Sequence, residues 1–373
     1  MKYYILALIC SVSFIACTSV ENEAETPALL DLIITDSIRV NEENFFLNGQ
    51  GQIKMVGDSL IAISSIRKPA IGIISLKTGN QIAQISASDF PEAPFFPSSF
   101  DIEVFPTLYI ADRYSNSIYE FNVSEEKFIR RIKLQIPSEK VIKIALGEFH
   151  KTNSGFLVEL TTGKVDTMHP DYYRNAGNLI YSFDNNGDSI GSFLKYPEIF
   201  TSQNGTINSQ TYLKSTYYNN SFLYSFPQEG KIKRIKDKVP FSVIEEMDIP
   251  EALYFDKTLK GLDRVVTFDD FQNGKNIQFP NNHFFNSIFE DDNKIVLETW
   301  MTDLEGSPHK RSTNLLIYNK QKERWSETST PRNILDMGML AGVVNDTLYF
   351  YEGSLMQHDE KFIKRAVLRP IEN

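Results

Sequence analysis

The sequence predicts an all-β fold built from six similar units, each of about four strands. Three observations lead to this prediction. Two short apolar runs around a polar turn recur along the chain, at a spacing of about 50 residues. The chain holds 27 Phe and 17 Tyr among its 373 residues, and aromatic side chains favour strands. Long stretches with the 3.6-residue period of a helix are few.

The clearest copy of the pattern runs from Pro106 to Asn122. Its two apolar runs contain branched and aromatic residues, which fit a pleated, half-buried sheet surface. The polar segment Asp112–Ser117 separates the two runs, because short polar side chains hydrogen-bond to the local backbone in turns. A third run, Phe128–Leu134, follows through a second polar turn. One such unit cannot bury both of its faces, so it requires neighbours of the same kind.

Five further copies begin with a turn pair that leads into an apolar strand. They lie at residues 57–63, 153–160, 219–226, 291–300 and 345–351. A second hairpin follows each copy, and two of these hairpins contain the pairs Thr78-Gly79 and Asn186-Gly187. Both pairs tolerate the positive φ angle that a tight hairpin requires.

Six units of this size resemble a six-bladed β-propeller. More specifically, the chain is similar to the NHL-like propeller lipoproteins of unknown function that Bacteroidetes encode, and the resemblance covers residues 30–370. The segment Leu29–Val40 precedes the first unit and is the candidate strand for closing the ring against the last blade. A pair of β-sandwiches is the alternative all-β fold, but it does not predict six similar units.

Residues 1–16 form a predicted signal peptide. One lysine precedes an apolar run that is too short to span a bilayer comfortably, and small residues follow this run. The segment Phe14–Cys17 resembles the lipobox of bacterial lipoproteins, although Phe14 stands where leucine is usual. The alternative is an ordinary signal peptide with an incidental cysteine.

The lipobox resemblance implies cleavage before Cys17 and attachment of diacylglycerol and a further acyl chain, typically palmitate, to that residue. Several acyl chains give stable anchoring where one is marginal. Thr18, rather than aspartate, follows the cysteine, which by the same resemblance implies the outer membrane, on its periplasmic or cell-surface side. Residues 17–28 are predicted to form a flexible acidic tether, and residues 29–373 a single propeller domain.

Cysteine usage and charge exclude several classes of function. The only cysteines are Cys10 and Cys17, so the mature chain has no disulfide and no cysteine-ligated metal site. The chain carries 38 basic and 48 acidic residues, a net charge of −10, which argues against a nucleic-acid partner.

The loops between second and third strands, and those between units, are expected to share one face of a propeller; we call them the rim loops. They carry basic and aromatic residues that suit a carboxylated or sulfated glycan, and a peptide or protein is the alternative ligand. The predicted ligand-binding residues are Arg67, Arg113, Tyr114, His169, Tyr172, Tyr173, Arg174, His309 and Arg311. The basic excess is small, so ordinary solvated loops explain the same composition.

An enzymatic role has weaker support. None of the five histidines has the spacing of a metal-binding pair, and a zinc site without cysteines would need carboxylates. The sequence contains neither a nucleophile elbow nor a Gly-rich phosphate loop. His169 and His309 are candidates for acid–base catalysis because both lie in rim loops, although a packed or solvated role is commoner for any single histidine. No metal or cofactor is predicted.

The sequence therefore predicts a non-enzymatic, lipid-anchored binding module on the outer membrane. Its expected partners are the membrane, through Cys17, and a glycan, peptide or protein bound by the rim loops. Two alternatives stay open: a hydrolase or lyase that acts on polysaccharide, and a structural subunit of a membrane complex.

Overall fold

The structure is a computed structural model that describes residues 26–42, 51–65, 69–143, 147–163, 165–207, 213–302, 311–352 and 360–371. Cys17, Arg67 and His309 lie outside the described residues. The described helices are short: α1 (Asp171–Asn175), α2 (Glu198–Thr201), α3 (Phe268–Gln272) and α4 (Ile334–Met337), with 3-10 turns at Ala87–Asp89 and Pro227–Glu229. None of these helices is long and apolar enough to cross a membrane.

Most of the described chain forms strands, as the aromatic and branched composition predicts. In chain order the strands are β1 (Ala28–Arg39), β2 (Ile53–Val56), β3 (Leu60–Ser65), β4 (Ala70–Ser75), β5 (Gln81–Ser86), β6 (Pro97–Asp101), β7 (Thr107–Asp112), β8 (Ser117–Asn122), β9 (Lys127–Lys133), β10 (Lys140–Ile142), β11 (Phe149–Lys151), β12 (Gly155–Thr162), β13 (Ile180–Asp184), β14 (Ser189–Phe193), β15 (Lys214–Tyr218), β16 (Ser221–Phe226), β17 (Lys231–Lys236), β18 (Val243–Asp248), β19 (Phe284–Glu290), β20 (Lys294–Thr302), β21 (Arg311–Asn319), β22 (Arg324–Thr328), β23 (Arg332–Asn333), β24 (Met339–Val344), β25 (Thr347–Glu352) and β26 (Phe362–Pro370).

The first four sheets are antiparallel, and each is formed by one continuous part of the chain. They contain β2–β5, β6–β9, β10–β14 and β15–β18, with β10 and β11 both pairing with β12. The pattern read from Pro106 to Asn122 forms β7 and β8, which pair from Thr107 with Asn122 to Asp112 with Ser117. The predicted strand–turn–strand unit is therefore confirmed.

The remaining strands form one nine-stranded sheet in the order β19-β20-β21-β22-β1-β26-β25-β24, with β23 pairing with β21. Strand β1 pairs antiparallel with β26 along most of its length, so the expected pairing of the N-terminal strand with the last unit is confirmed. Its first three residues, Ala28–Leu30, also pair parallel with β22. This parallel pairing merges strands that the sequence predicts as two separate units.

The core is divided into clusters that lie between consecutive groups of strands. One cluster joins the β2–β5 sheet to the β6–β9 sheet through side chains such as Ile71, Phe100 and Phe121. Similar clusters join each later group to the next. Another packs Ile61 of β3 against Tyr351 of β25, at the two ends of the chain. Each fully buried side chain of this size contributes about 2 kcal/mol, so these interfaces hold the propeller-like arrangement together.

Two predicted hairpin turns also connect neighbouring sheets. Gly79 and Gly187 have φ angles of 72° and 91°, in the left-handed region that favours glycine. The carbonyl oxygen of Gly79 accepts the backbone N–H of Asn41, which follows β1, at 2.9 Å. The carbonyl oxygen of Gly187 accepts the N–H of Gln135, which follows β9, also at 2.9 Å. The same contact therefore recurs at two separate junctions.

Candidate functional site

The first strands of the groups border a common cavity of about 290 Å³. Among the described strands, β2, β15, β19 and β24 each pair with a neighbour on one side only, and their other edge borders this space. Residues of these strands and of β11 line the cavity. The ionisable side chains among the lining residues are Lys54, Glu103, Glu148, His150, Lys214, Tyr217, Tyr218 and Glu290.

The alternation of a strand explains why charged groups reach the cavity. Glu148 and His150 flank Phe149, which is fully buried in the core. Because successive side chains of a strand point to opposite faces, both ionisable residues lie on the cavity side. Edge strands commonly carry charged residues, and here the edge borders the cavity.

Asp101, the last residue of β6, is held by groups from two other strands. Its Oδ2 atom accepts hydrogen bonds from Lys54 Nζ and from the backbone N–H of Lys151, both at 3.2 Å. Its Oδ1 atom accepts the backbone N–H of Glu103 at 3.0 Å. Lys54 Nζ also donates to the carbonyl oxygen of Phe149 at 3.1 Å. Strands β2, β6 and β11, from three different sheets, therefore meet at this point.

His150 connects this cluster to β15. Its Nε2 atom lies 2.8 Å from Ser215 Oγ and 3.7 Å from Glu148 Oε2. Glu148 Oε2 also accepts the backbone N–H of Ser215 at 3.1 Å. The ring of Phe222 packs edge-on against the imidazole, with 5.7 Å between ring centroids. The Nδ1 atom of His150 is buried, and no described group hydrogen-bonds to it.

Burial shifts the pKa values of the groups around the cavity. Glu103 is exposed to the cavity, and desolvation by the groups around it, together with the charge of Asp101, raises the pKa of Glu103 to about 7. Burial lowers the pKa of His150 despite the nearby Glu148 carboxylate. Burial also lowers the pKa of Lys214. Glu103 can therefore gain or lose a proton near neutral pH, while the His150 imidazole is neutral and retains a lone pair.

The turn of Arg113 and Tyr114 lies at the other end of the strands. Asp101 pairs with Tyr109, whereas Pro97 pairs with Asp112, which directly precedes the turn. Four residues of β6 therefore separate the two positions, a distance of about 13 Å along the strand. Tyr114 is 78% exposed and contacts Phe96 edge-on.

The predicted residues of the 163–179 loop take part in the packing of that loop. Tyr172 and Tyr173 are buried in α1, and Tyr172 Oη lies 2.6 Å from Thr161 Oγ1. His169 Nδ1 accepts the backbone N–H of Asp171 at the start of α1. The Arg174 guanidinium contacts Asp171 Oδ1 at 2.9 Å and the carbonyl oxygen of Thr201 at 3.0 Å. These tyrosine rings thus pack in the core, and the arginine is already paired within the loop.

Other predicted residues have no described side chain. Arg67 and His309 fall outside the described residues. Arg311 begins β21 opposite Thr302, and only its backbone is described. Ligand binding by the rim loops therefore stays a prediction.

The cavity residues belong to none of the motifs that the sequence displays. Four groups of strands that are far apart in the chain contribute Lys54, Asp101, His150 and Ser215. The local signal is weak, because it consists only of an ionisable residue on each side of a buried aromatic residue, as at Phe149. Their convergence is a property of the tertiary fold.

Comparisons with known proteins show the fold. Neither a protein-family model nor a curated protein matches the sequence. A solved structure of a DUF4221 family member from Bacteroides vulgatus is similar, with a TM-score of 0.67, 14% identity and coverage of 93% of this chain and 100% of that chain. A Bacteroides fragilis protein described as exported has a TM-score of 0.55, 12% identity and coverage of 91% and 96%. At these identities the likeness shows a propeller-type fold alone.

Proposed function

We propose that the protein is an exported propeller that binds a small polar ligand in the cavity between its first strands. The observation that carries the proposal is the presence of ionisable groups of both signs, including Lys54, Glu103 and Lys214, around about 290 Å³ of space. This volume lies at the lower end of the range for small-molecule pockets. It fits a unit the size of one sugar or amino acid. A longer glycan or a protein partner would instead engage the rim loops, at Arg113 and Tyr114.

We also infer that the strands form six blades. The nine-stranded sheet consists of two antiparallel groups, β19–β23 and β24–β26 with β1. Among the described strands, the parallel pairing of Ala28–Leu30 with β22 alone connects the two groups. The buried clusters link all groups in succession and link the last to the first. The hydrogen bonds accepted by Gly79 and Gly187 match each other: the residue after β1 binds the next sheet in the same way as the residue after β9. These observations support a ring closed by the N-terminal strand.

Lipid anchoring through Cys17 is the second part of the proposal. The lipobox supports it, and the similar Bacteroides fragilis protein is described as exported. In the native host, we expect Cys17→Ala to move the protein from the membrane fraction to the soluble fraction. Cys10→Ala is the matched control, because Cys10 belongs to the segment that is removed. Retention of the Cys17→Ala protein in the membrane fraction would refute the anchor.

Ligand binding can be measured by calorimetry with the full-length protein in detergent. The panel consists of neutral and acidic monosaccharides, amino acids and short glycans. We expect a single-unit ligand to bind with an affinity that falls at least tenfold in Lys214→Met, a loss of about 1.4 kcal/mol. The same affinity should not change in Tyr114→Ala. The opposite pattern would place the ligand at the rim loops and overturn the assignment to the cavity.

An enzymatic role is the second candidate, and the raised pKa of Glu103 at the cavity favours it. A carboxyl group with a pKa of about 7 that is open to a cavity has the properties of a general acid or base. The same panel, extended to polysaccharides and followed by chromatography, tests this role. Turnover that disappears in Glu103→Gln would identify an enzyme, whereas saturable binding without product supports the binding module. Failure of both, with co-purified membrane proteins, would favour a structural subunit.

A further inference from the structure

A second feature of the cavity points to a ligand of a different kind. One ligand atom from each of Asp101, Glu103 and His150 lies within 4.8 Å of the other two. Atoms that share one ion at the usual distances of about 2.0–2.2 Å lie at most about 4.4 Å apart, so a small movement of the exposed Glu103 side chain would bring the two carboxylate oxygens and the imidazole nitrogen onto one ion. Asp101 and His150 are buried, so their positions are fixed by the fold. Glu103 faces the cavity and leaves a route for an ion to enter.

The hydrogen bonding of His150 is the independent observation. The residue is 5% exposed, and its Nδ1 atom is buried with no hydrogen-bond partner among the described groups. A buried polar atom left in this state costs about 1–3 kcal/mol. Its Nε2 atom already faces Ser215 and Glu148. Nδ1 is therefore the nitrogen that is free to bind a further group.

The surroundings of His150 match the outer environment of metal sites. A metal-bound histidine generally donates its other ring N–H to a carboxylate, carbonyl or water, which fixes the ring orientation and tautomer. Glu148 and Ser215 occupy this position on the Nε2 side. Glu148 is itself held by the backbone N–H of Ser215 at 3.1 Å. The imidazole is thus oriented with Nδ1 as the unused lone pair.

We propose that Asp101, Glu103 and His150 form a binding site for a divalent transition-metal ion of the Zn²⁺ or Mn²⁺ class. The nitrogen ligand disfavours Ca²⁺ and Mg²⁺, which prefer oxygen ligands; the imidazole suits Zn²⁺, and the two carboxylates suit both Zn²⁺ and Mn²⁺. Three protein ligands leave coordination positions open toward the cavity. The site shares Glu103 with the cavity proposed above for a small polar ligand, but metal binding requires neither Lys214 nor that ligand.

Lys54 limits the affinity of this site. Its ammonium group lies 3.2 Å from Asp101 Oδ2 and would repel an ion bound to the same carboxylate. Lys54→Met removes this repulsion and leaves Asp101 with the backbone N–H groups of Glu103 and Lys151. The substitution should therefore tighten metal binding. In a site where Lys54 only supports the fold, the same change would leave metal affinity unchanged or reduce it.

The test uses full-length protein stripped with EDTA and titrated with Zn²⁺ or Mn²⁺ alone. We expect one ion per chain, a loss of at least tenfold in affinity in Glu103→Gln, and tighter binding in Lys54→Met. Glu148→Gln should weaken binding by about 10- to 100-fold through the orientation of His150. Co²⁺ provides the spectroscopic readout: its visible absorption should appear on binding and disappear in His150→Ala.

His283→Ala is the matched control, since His283 Nδ1 accepts the backbone N–H of Asp256 away from the cluster. It should leave the Co²⁺ spectrum unchanged. Glu103→Gln covers the case in which His150→Ala does not fold, because Glu103 is exposed to the cavity. No binding of Zn²⁺ or Mn²⁺ to the wild-type protein at millimolar concentration, or equal binding by wild type and Glu103→Gln, would overturn the proposal. Either result leaves the binding of a small polar ligand to be decided by calorimetry.

Discussion

The glycine at position 79 offers a direct test of the contact between β1 and the first sheet. A Cβ atom on Gly79 would lie 1.9 Å from the carbonyl oxygen of Arg39, which ends β1. Ordinary contacts begin at 3.4 Å, so the turn and the strand must move apart. This movement weakens the hydrogen bond from Asn41 to Gly79. We expect Gly79→Ala to destabilise the fold at this junction.

Gly57 supplies the control for the cost of the backbone conformation alone. It has a φ angle of 59°, close to the 72° of Gly79, but a Cβ atom added to Gly57 would have nothing within 4 Å. Holding alanine in the left-handed region costs about 1–2 kcal/mol, which we expect for Gly57→Ala. Gly79→Ala adds a lost backbone hydrogen bond and an uncompensated donor or acceptor, about 2 kcal/mol more. The difference between the two variants therefore isolates the contact with β1.

Urea unfolding followed by tryptophan fluorescence measures this difference. With an m-value of about 3 kcal/mol/M, 2 kcal/mol lowers the midpoint by about 0.7 M. Gly187→Ala should behave like Gly79→Ala, because its Cβ would lie 2.2 Å from the carbonyl oxygen of Lys133 at the equivalent junction. Equal midpoints for Gly79→Ala and Gly57→Ala would show that β1 does not pack on the first sheet as described, and would refute the closed ring.

Three further predictions concern the fold. Phe121→Ala should lower the unfolding free energy by about 3–5 kcal/mol, because this ring is fully buried and packs against Phe90 and Phe95. Val104→Ala is the control at an exposed site, and it should change the unfolding free energy by less than about 0.5 kcal/mol. Arg234→Lys should lower the unfolding free energy by about 2 kcal/mol, since lysine cannot reproduce the two hydrogen bonds of 2.7 and 2.8 Å to the buried carboxylate of Glu290. Thermal unfolding of the variant at the wild-type temperature would contradict this. Burial raises the pKa of Glu298 above its ordinary 4.5, so this residue stabilises the fold below pH 4.5 and the contribution is lost as the pH rises through the folded-state pKa. The unfolding free energy of Glu298→Gln should lack that decline, and parallel pH profiles for wild type and variant would count against the shifted pKa.

Turn chemistry made much of the fold predictable from the sequence. The pairs Thr78-Gly79 and Asn186-Gly187 require positive φ angles, and both glycines have them. The apolar runs on each side of Asp112–Ser117 became β7 and β8. Signals of this kind depend on residues that are close together in the chain, so they can be recognised without the tertiary structure.

The merging of the last groups could not be predicted in the same way. It depends on three residues of β1, which reach the edge of β22 almost 300 positions later in the chain. A strand that pairs with two neighbours has the same apolar pattern as a strand that pairs with one. The role of Tyr172 and Tyr173 was equally hidden, because a loop tyrosine has the same sequence signature whether its ring enters the core or faces a ligand.

The cavity residues show where sequence reasoning fails and what would improve it. A polar residue on a first strand has the same sequence pattern as a residue on a solvated sheet face, since alternation alone does not reveal that the edge of the strand borders a cavity. The useful signal is the flanking of a buried aromatic residue by ionisable or polar ones just before a turn. Phe100 lies between Ser99 and Asp101, and Phe149 between Glu148 and His150. Because the first strands of a propeller face one another, such triplets in different units are expected to lie close together. A sequence with several of these triplets therefore predicts a site where they meet.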